Sequence, residues 1–485
     1  MRLFTVLATG LALAFFSAGT VHAQPTGSNR LYHGSSTQFY LERPSLTDWA
    51  GAANYTWSAT SGGGVWEITA LGGGLYRLDS GGKALTRDGA ADWAVVKTVA
   101  YAGWSTQKWT FTNNGDGSWR IENAGKALTG NSSSGSSAMT ATYSGWTTQK
   151  WKIYAEDKTG WPAGNWKWVY RGVTLGTRLL VDKSDTLVIN STVQGVVNST
   201  GVSNSISVTG ATNVYLKWTD VYDAYTDRGI AITGSSNVTL DDCYLSNHVR
   251  PSAVHSSFIL VDSSPNVAIR NTTIENCDGN GILTAGSTST GLVIDGCTIA
   301  NTGRVTFVSP SPAPFHGIYS KAPDVTYSNN TITGSADGSA ISMRSTGTLT
   351  GNHLSGAKHS LIAYWPDATA GASGALVITG NTLEQDDYDY TGGTSKAALV
   401  GLNDSGNPNG IVGAYFQIYR IENNQMRVGS GSASADALVT ANWPVGSPGF
   451  GDARATGNTM TDQRTVKTYF GNASRFAATT PNTLQ

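Results

Sequence analysis

The stretch Asn237-Val238-Thr239-Leu240-Asp241-Asp242-Cys243 decides the fold, because it recurs along the chain. Asn266-Val267-Ala268-Ile269-Arg270-Asn271-Thr272 repeats it, then Leu292-Val293-Ile294-Asp295-Gly296-Cys297 and Val325-Thr326-Tyr327-Ser328-Asn329-Asn330. Later copies end in Asn352, Asn381, Asn424 and Asn458. Each copy is a short apolar run with a turn and a Thr/Asn-rich step. The shortest step, Asn330 to Asn352, is 22 residues, and longer steps add loops. Three short strands and three turns in that length form one coil of a right-handed parallel β-helix, whose coils stack at ~4.8 Å. The column Thr219, Cys243, Thr272, Cys297, Asn330, Asn352, Asn381, Asn424, Asn458 then reads as an interior turn ladder. Stacked amides there satisfy buried backbone groups. This register puts Cys243 and Cys297 two coils apart, too far for a disulfide.

A second column follows the ladder. It contains Gly229-Ile230-Ala231-Ile232-Thr233, Phe258-Ile259-Leu260-Val261-Asp262 and Gly281-Ile282-Leu283-Thr284-Ala285. Gly317-Ile318-Tyr319-Ser320-Lys321, Ala340-Ile341-Ser342-Met343-Arg344 and Leu361-Ile362-Ala363-Tyr364-Trp365 continue it. With the Ile residues inward, alternation sends the third residue after each outward. Lys321 and Arg344 then lie side by side on adjacent coils, Tyr319 shares their face, Trp365 is one coil on, and His316 is just upstream. Two cations directly opposite each other are unfavourable unless an anion lies between them. The bland alternative is a pair of solvated charges.

Residues 31–155 follow another rule. Gly82-Lys83-Ala84-Leu85-Thr86 returns as Gly125-Lys126-Ala127-Leu128-Thr129. Tyr101-Ala102-Gly103-Trp104-Ser105-Thr106-Gln107-Lys108-Trp109 returns as Tyr143-Ser144-Gly145-Trp146-Thr147-Thr148-Gln149-Lys150-Trp151. One more step back lands near Trp66. Three copies, each burying one Trp in a shared core, suit a closed threefold β unit. This block resembles the ricin-type lectins, β-trefoils with Gln-x-Trp repeats. The resemblance implies that the Gln-x-Trp pair is structural and that an Asp and an Asn hold sugar. Those places hold Thr86, Thr129, Thr106 and Thr148 here. A carbohydrate-targeting module and a trefoil spacer both remain open.

The chain of 485 residues is only 13 % charged, with a formal net charge of -1. That balance argues against a partner held by bulk charge, whether nucleic acid or a membrane surface. A chain rich in Gly, Ser, Thr and Asn and poor in helix formers reads as all-β. Arg2, the apolar run Leu3 to Ala18 and the exit Val21-His22-Ala23 form an expected signal peptide over residues 1–23. The expected organisation is a secreted, monomeric protein with a trefoil at 31–155 and a β-helix at 170–485. Its three cysteines are no disulfide framework.

The outward cations suggest a chemistry. Neutralising the carboxylate of a uronate makes the neighbouring C–H proton removable. Arg344 can pair with that carboxylate, and Lys321 can take the proton. Tyr319 or His316 can protonate the departing oxygen, and Trp365 can stack a sugar. This pair on consecutive coils resembles the β-helical polysaccharide lyases, a pectin-lyase-like fold that includes chondroitinase B and alginate lyases. The resemblance implies Lys321 as base and Arg344 as carboxylate partner on an acidic polysaccharide. Many members hold calcium upstream of the lysine. Here Ser311-Pro312-Ala313-Pro314-Phe315-His316-Gly317 has no carboxylate and only Asp262 shares the face, so no metal or other cofactor is expected, with calcium a minor alternative. The competing readings are a β-helical glycoside hydrolase, using Asp220, Asp241 or Asp242, and a non-catalytic carbohydrate-binding adhesin.

Overall fold

A computed structural model describes residues 26–33, 39–43, 45, 47–56, 64–131, 133, 135–155, 158, 160–199, 203–249, 256–304, 314–365, 375–386, 398–403, 418–430, 437–442 and 452–485. The expected signal peptide and the stretch 311–313 lie outside them. The fold is all-β, a β-trefoil followed by a right-handed parallel β-helix, with no α-helix among the described residues. The chain divides into two compact units, Met1–Thr56 with Val65–Asp157 and Trp57–Gly64 with Lys158–Gln485.

The first unit is a single sheet of 14 strands closed on itself: Gly27–His33 pairs antiparallel with Lys152–Ala155 near the other end of the unit. Its threefold character is written in backbone hydrogen bonds. Ala52 N–H donates to Val96 O, Val96 N–H to Ala138 O, and Ala138 N–H to Ala52 O, at 2.8, 2.9 and 2.8 Å. Trp66, Trp109 and Trp151 are fully buried. A buried indole N–H needs an acceptor, and each finds the same one: Leu41 O, Leu85 O and Leu128 O at 2.8, 2.9 and 2.8 Å. Gln107 and Gln149 are buried beside them and bond backbone groups at both ends of their amides. Gly64 replaces that glutamine in the first copy, so this repeat is blurred in sequence while its tryptophan stays in place.

The second unit stacks parallel strands on three faces. Two faces join into one 21-stranded sheet, and the third is a separate sheet of 11 strands. The ladder sits inside the corner between the first two faces. Asn352 Oδ1 accepts the backbone N–H and the Nδ2 of Asn330, at 3.0 and 2.9 Å. The same double bond repeats from Asn352 to Asn381, Asn381 to Asn424 and Asn424 to Asn458. It runs one coil past the expected column, to Asn482. Each Nδ2 also donates to a carbonyl, such as Ile294 O or Tyr327 O at 2.9 Å, so no amide proton is left bare. Cys243 and Cys297 hold the same place as small buried groups, and all three cysteines are free. The residue before the ladder turns the corner in the left-handed region, at Asp242, Asn271, Asn329 and Asn423. Short polar side chains and Gly tolerate that backbone. Gly351 is needed twice over: its φ is +66, and an added Cβ would meet Asn329 Oδ1 at 2.7 Å.

Candidate functional site

The 11-stranded sheet carries the candidate site. Ile206, Ile230, Ile259, Ile282, Ile318, Ile341 and Ile362 are in register from coil to coil, and all are fully buried. Alternation turns the next residue outward, so Tyr319 and Ser342, a register pair, share the outer face. The strands Ile318–Ser320, Ile341–Met343 and Ile362–Tyr364 end at the same height. One bond repeats just beyond them: Lys321 N–H donates to Thr284 O at 3.3 Å, Arg344 N–H to Ser320 O at 2.7 Å, and Trp365 N–H to Met343 O at 2.9 Å. Lys321, Arg344 and Trp365 therefore hold equivalent places on three successive coils, ~4.8 Å apart per coil. All three are partly exposed.

The side chains explain how the patch is held. Arg344 folds back over its own strand, where Nη1 donates to Ser342 Oγ at 3.0 Å. Its guanidinium carbon lies 4.8 Å from the centroid of the Tyr319 ring, a cation–π contact. The His316 ring stacks on the same phenol, centroids 5.4 Å apart and planes 27° from parallel. Under Lys321, the Thr284 hydroxyl accepts the backbone N–H of Lys321 at 2.9 Å and of Ala322 at 3.1 Å. Thr284 donates in turn to Ser320 Oγ, which also takes the buried Tyr327 hydroxyl at 2.7 Å. The lysine backbone thus rests on a polar chain inside the cylinder.

His316 is buried, not presented to solvent. Burial, then the positive charges of Arg344 and His359, hold its imidazole well below the usual histidine range. Its Nδ1 accepts the Ser339 backbone N–H at 2.9 Å, so the neutral ring carries its proton on Nε2. A neutral imidazole in that tautomer is a poor acid. The His316 ring packs against Tyr319 from inside the coil, and an added Cβ at Gly338 would press on it at 2.7 Å from Nδ1. Asp262 lies on the same face but two coils before Lys321, roughly 10 Å away by coil spacing. It accepts the Ser263 hydroxyl at 3.0 Å. No cluster of metal-binding side chains occurs among the described residues.

The carboxylates of the hydrolytic alternative sit on the other faces. Asp241 accepts the Tyr215 hydroxyl at 2.9 Å, Lys217 Nζ at 3.0 Å and Asn271 Nδ2 at 3.1 Å, which holds its carboxyl below the usual range against burial. It is thus ion-paired with Lys217. Asp220 accepts the Tyr222 hydroxyl at 3.0 Å, and burial raises its pKa. The Tyr222 and Tyr244 rings pack at 5.6 Å, and Tyr244 donates to Glu275. Sequence reasoning missed Glu275, because one carboxylate in a turn-rich step carries no pattern of its own. It also missed Ser342, whose outward place was legible once the isoleucines were aligned.

A model of the right-handed beta helix region matches residues 178–354. No curated protein sequence matches the chain. Among solved structures, the designed threefold-symmetric protein ThreeFoil is 28 % identical, with a TM-score of 0.26, covering 27 % of this chain and 99 % of its own. A lectin of Polyporus squamosus, solved with a sialylated influenza-binding epitope, is 19 % identical at a TM-score of 0.24, covering 27 % of this chain and half of its own length. The Rhizoctonia solani agglutinin is 19 % identical at 0.25, covering 28 % and 100 %.

Proposed function

We propose that the β-helix unit cleaves a uronate-containing polysaccharide by β-elimination. The observation that supports this most is the placing of Lys321 and Arg344 at equivalent points of adjacent coils, with the Tyr319 phenol beneath the guanidinium. Arg344 pairs with the sugar carboxylate and stabilises the charge that develops when the C5–H bond breaks. Lys321, in its neutral form, takes that proton. The electron pair forms the C4–C5 double bond as the C4–O bond breaks, and the Tyr319 hydroxyl protonates the leaving oxygen. No water is consumed. Trp365 offers its face to a neighbouring sugar, one coil along.

Incubating the protein with alginate, polygalacturonate and glycosaminoglycans tests the proposal. The expected product absorbs in the ultraviolet through its conjugated double bond. New reducing ends without that absorbance would replace elimination by hydrolysis. Absence of product from every uronate polymer would remove the reading.

A further inference from the structure

Two pairs of tryptophans on the trefoil are used by nothing described above. Trp49 and Trp104 stack with centroids 5.9 Å apart and planes 18° from parallel, and Trp93 and Trp146 stack at 5.6 Å and 14°. All four are 45–51 % exposed. The Ala52–Val96–Ala138 triangle sets the threefold correspondence. Three residues before its members stand Trp49, Trp93 and Gly135, all with left-handed backbone at φ +66, +71 and +79. Glycine takes that conformation freely, whereas a bulky side chain there is an outlier costing on the order of 1–3 kcal/mol. The third copy shows what folding alone requires. Two copies place a half-exposed indole on that backbone, where the third has glycine.

The frame around each pair is also duplicated. Asp48 Oδ1 accepts Lys83 Nζ at 2.6 Å and the Ala100 N–H at 3.0 Å. Asp92 Oδ1 accepts Lys126 Nζ and the Thr142 N–H, both at 2.7 Å. Ala100 and Thr142 lie four residues before Trp104 and Trp146. The turn carrying one indole is thus laced to the segment carrying the other. Arg77 covers Tyr101 and Arg120 covers Tyr143 just beyond, at 4.6 and 4.7 Å. These are not the places to which the ricin-type resemblance assigns sugar: Thr86 and Thr129 are buried and receive the Gln107 and Gln149 amides.

We infer that each tryptophan pair is a stacking site for a pyranose ring, so that the trefoil holds a polysaccharide chain at two points with the third position blank. The electron-rich indole face complements the polarised C–H face of a pyranose. The adjacent charged groups offer hydrogen bonds to its hydroxyls. Two weak sites on one chain gain by effective concentration.

Electrophoresis of the full-length Arg344→Ala protein through gels containing xylan, a soluble β-glucan or alginate tests this, because binding is read without turnover and fails separately from the eliminative reading. Retardation by at least one polymer is expected. Trp104→Ala or Trp146→Ala should weaken it about tenfold, and the double variant should abolish it. Trp49→Gly with Trp93→Gly, copying Gly135, should lose retardation while the melting temperature is kept or raised. Unchanged retardation in the double variant overturns the proposal, as does loss only in variants that melt early. No retardation of the parent by any polymer, or partition of the parent into neutral lipid vesicles through these tryptophans, overturns it equally.

Discussion

Rotation relates the repeats of the trefoil, whereas translation relates the coils of the β-helix. In the trefoil three buried tryptophans converge on one core, so a defect in one copy is felt by all. In the β-helix each coil touches its neighbours, so a defect stays local. The interiors are uniform in both: a tryptophan bonded to a leucine carbonyl three times over, and an asparagine bonded to the next asparagine from Asn330 to Asn482. The outer surfaces are not. Among the described residues, two trefoil copies expose a tryptophan pair, and Tyr319, Lys321, Arg344 and Trp365 sit on neighbouring coils. Regular interiors set the architecture, and breaks in regularity outside mark where chemistry can sit.

The comparison can be broken most forcefully at the candidate site. Lys321→Ala or Arg344→Ala should lower the elimination rate by up to about 10⁴-fold, and Arg344→Lys should restore little because the paired geometry is lost. Trp109→Ala in the trefoil should leave that rate unchanged below its own melting temperature. The same Trp109→Ala should cost the trefoil about 3–5 kcal/mol, with Trp66→Ala and Trp151→Ala matching it, as calorimetry would show. Unequal costs would mean that the threefold relation is only geometric.

The two units should also answer pH in opposite directions. Burial holds the Glu42 carboxyl up at about 7 against the pull of Arg30. The unfolded trefoil releases that proton near 4.5 while the folded one keeps it, so trefoil stability falls as pH rises from 4.5 to 7, by roughly 3 kcal/mol. Glu42→Gln should flatten that slope. Burial holds His248 down at about 4, its Nε2–H donating to Thr226 O at 2.8 Å and its Nδ1 facing the Cys277 thiol at 3.4 Å. The unfolded β-helix takes up a proton near 6.5 that the folded one refuses, so its stability falls as pH drops from 6.5 to 4. Two calorimetric transitions moving the same way with pH would refute the contrast. The smallest effect separates the two halves of the ladder. Asn381→Ala strands the donors of Asn352 and should cost about 1–3 kcal/mol. Cys243→Ala removes only a weak thiol bond and should cost less, by chemical denaturation.

Much of the site could be read before any fold was known, and particular residues show why. Aligning Ile318 with Ile341 was enough to place Tyr319, Lys321 and Arg344 on one face, because a strand has a period of two. His316 shows the limit. Its position upstream of the strand suggested a proton donor, but the corner at Phe315–Gly317 turns the imidazole inward against Ser339. Asp241 shows the same limit: one turn motif hid an ion pair with Lys217 from a preceding strand. The Asp48-Trp49 and Asp92-Trp93 repeat was visible in the chain, yet its meaning waited on backbone angles.

Periodicity sufficed for both architectures and for the sides on which residues emerge, since these follow from strand alternation and a repeat length. Which outward groups lean on one another, which are sealed from water, and which proton a histidine keeps were decided by contacts between residues distant in the chain, set by packing that no local pattern encodes.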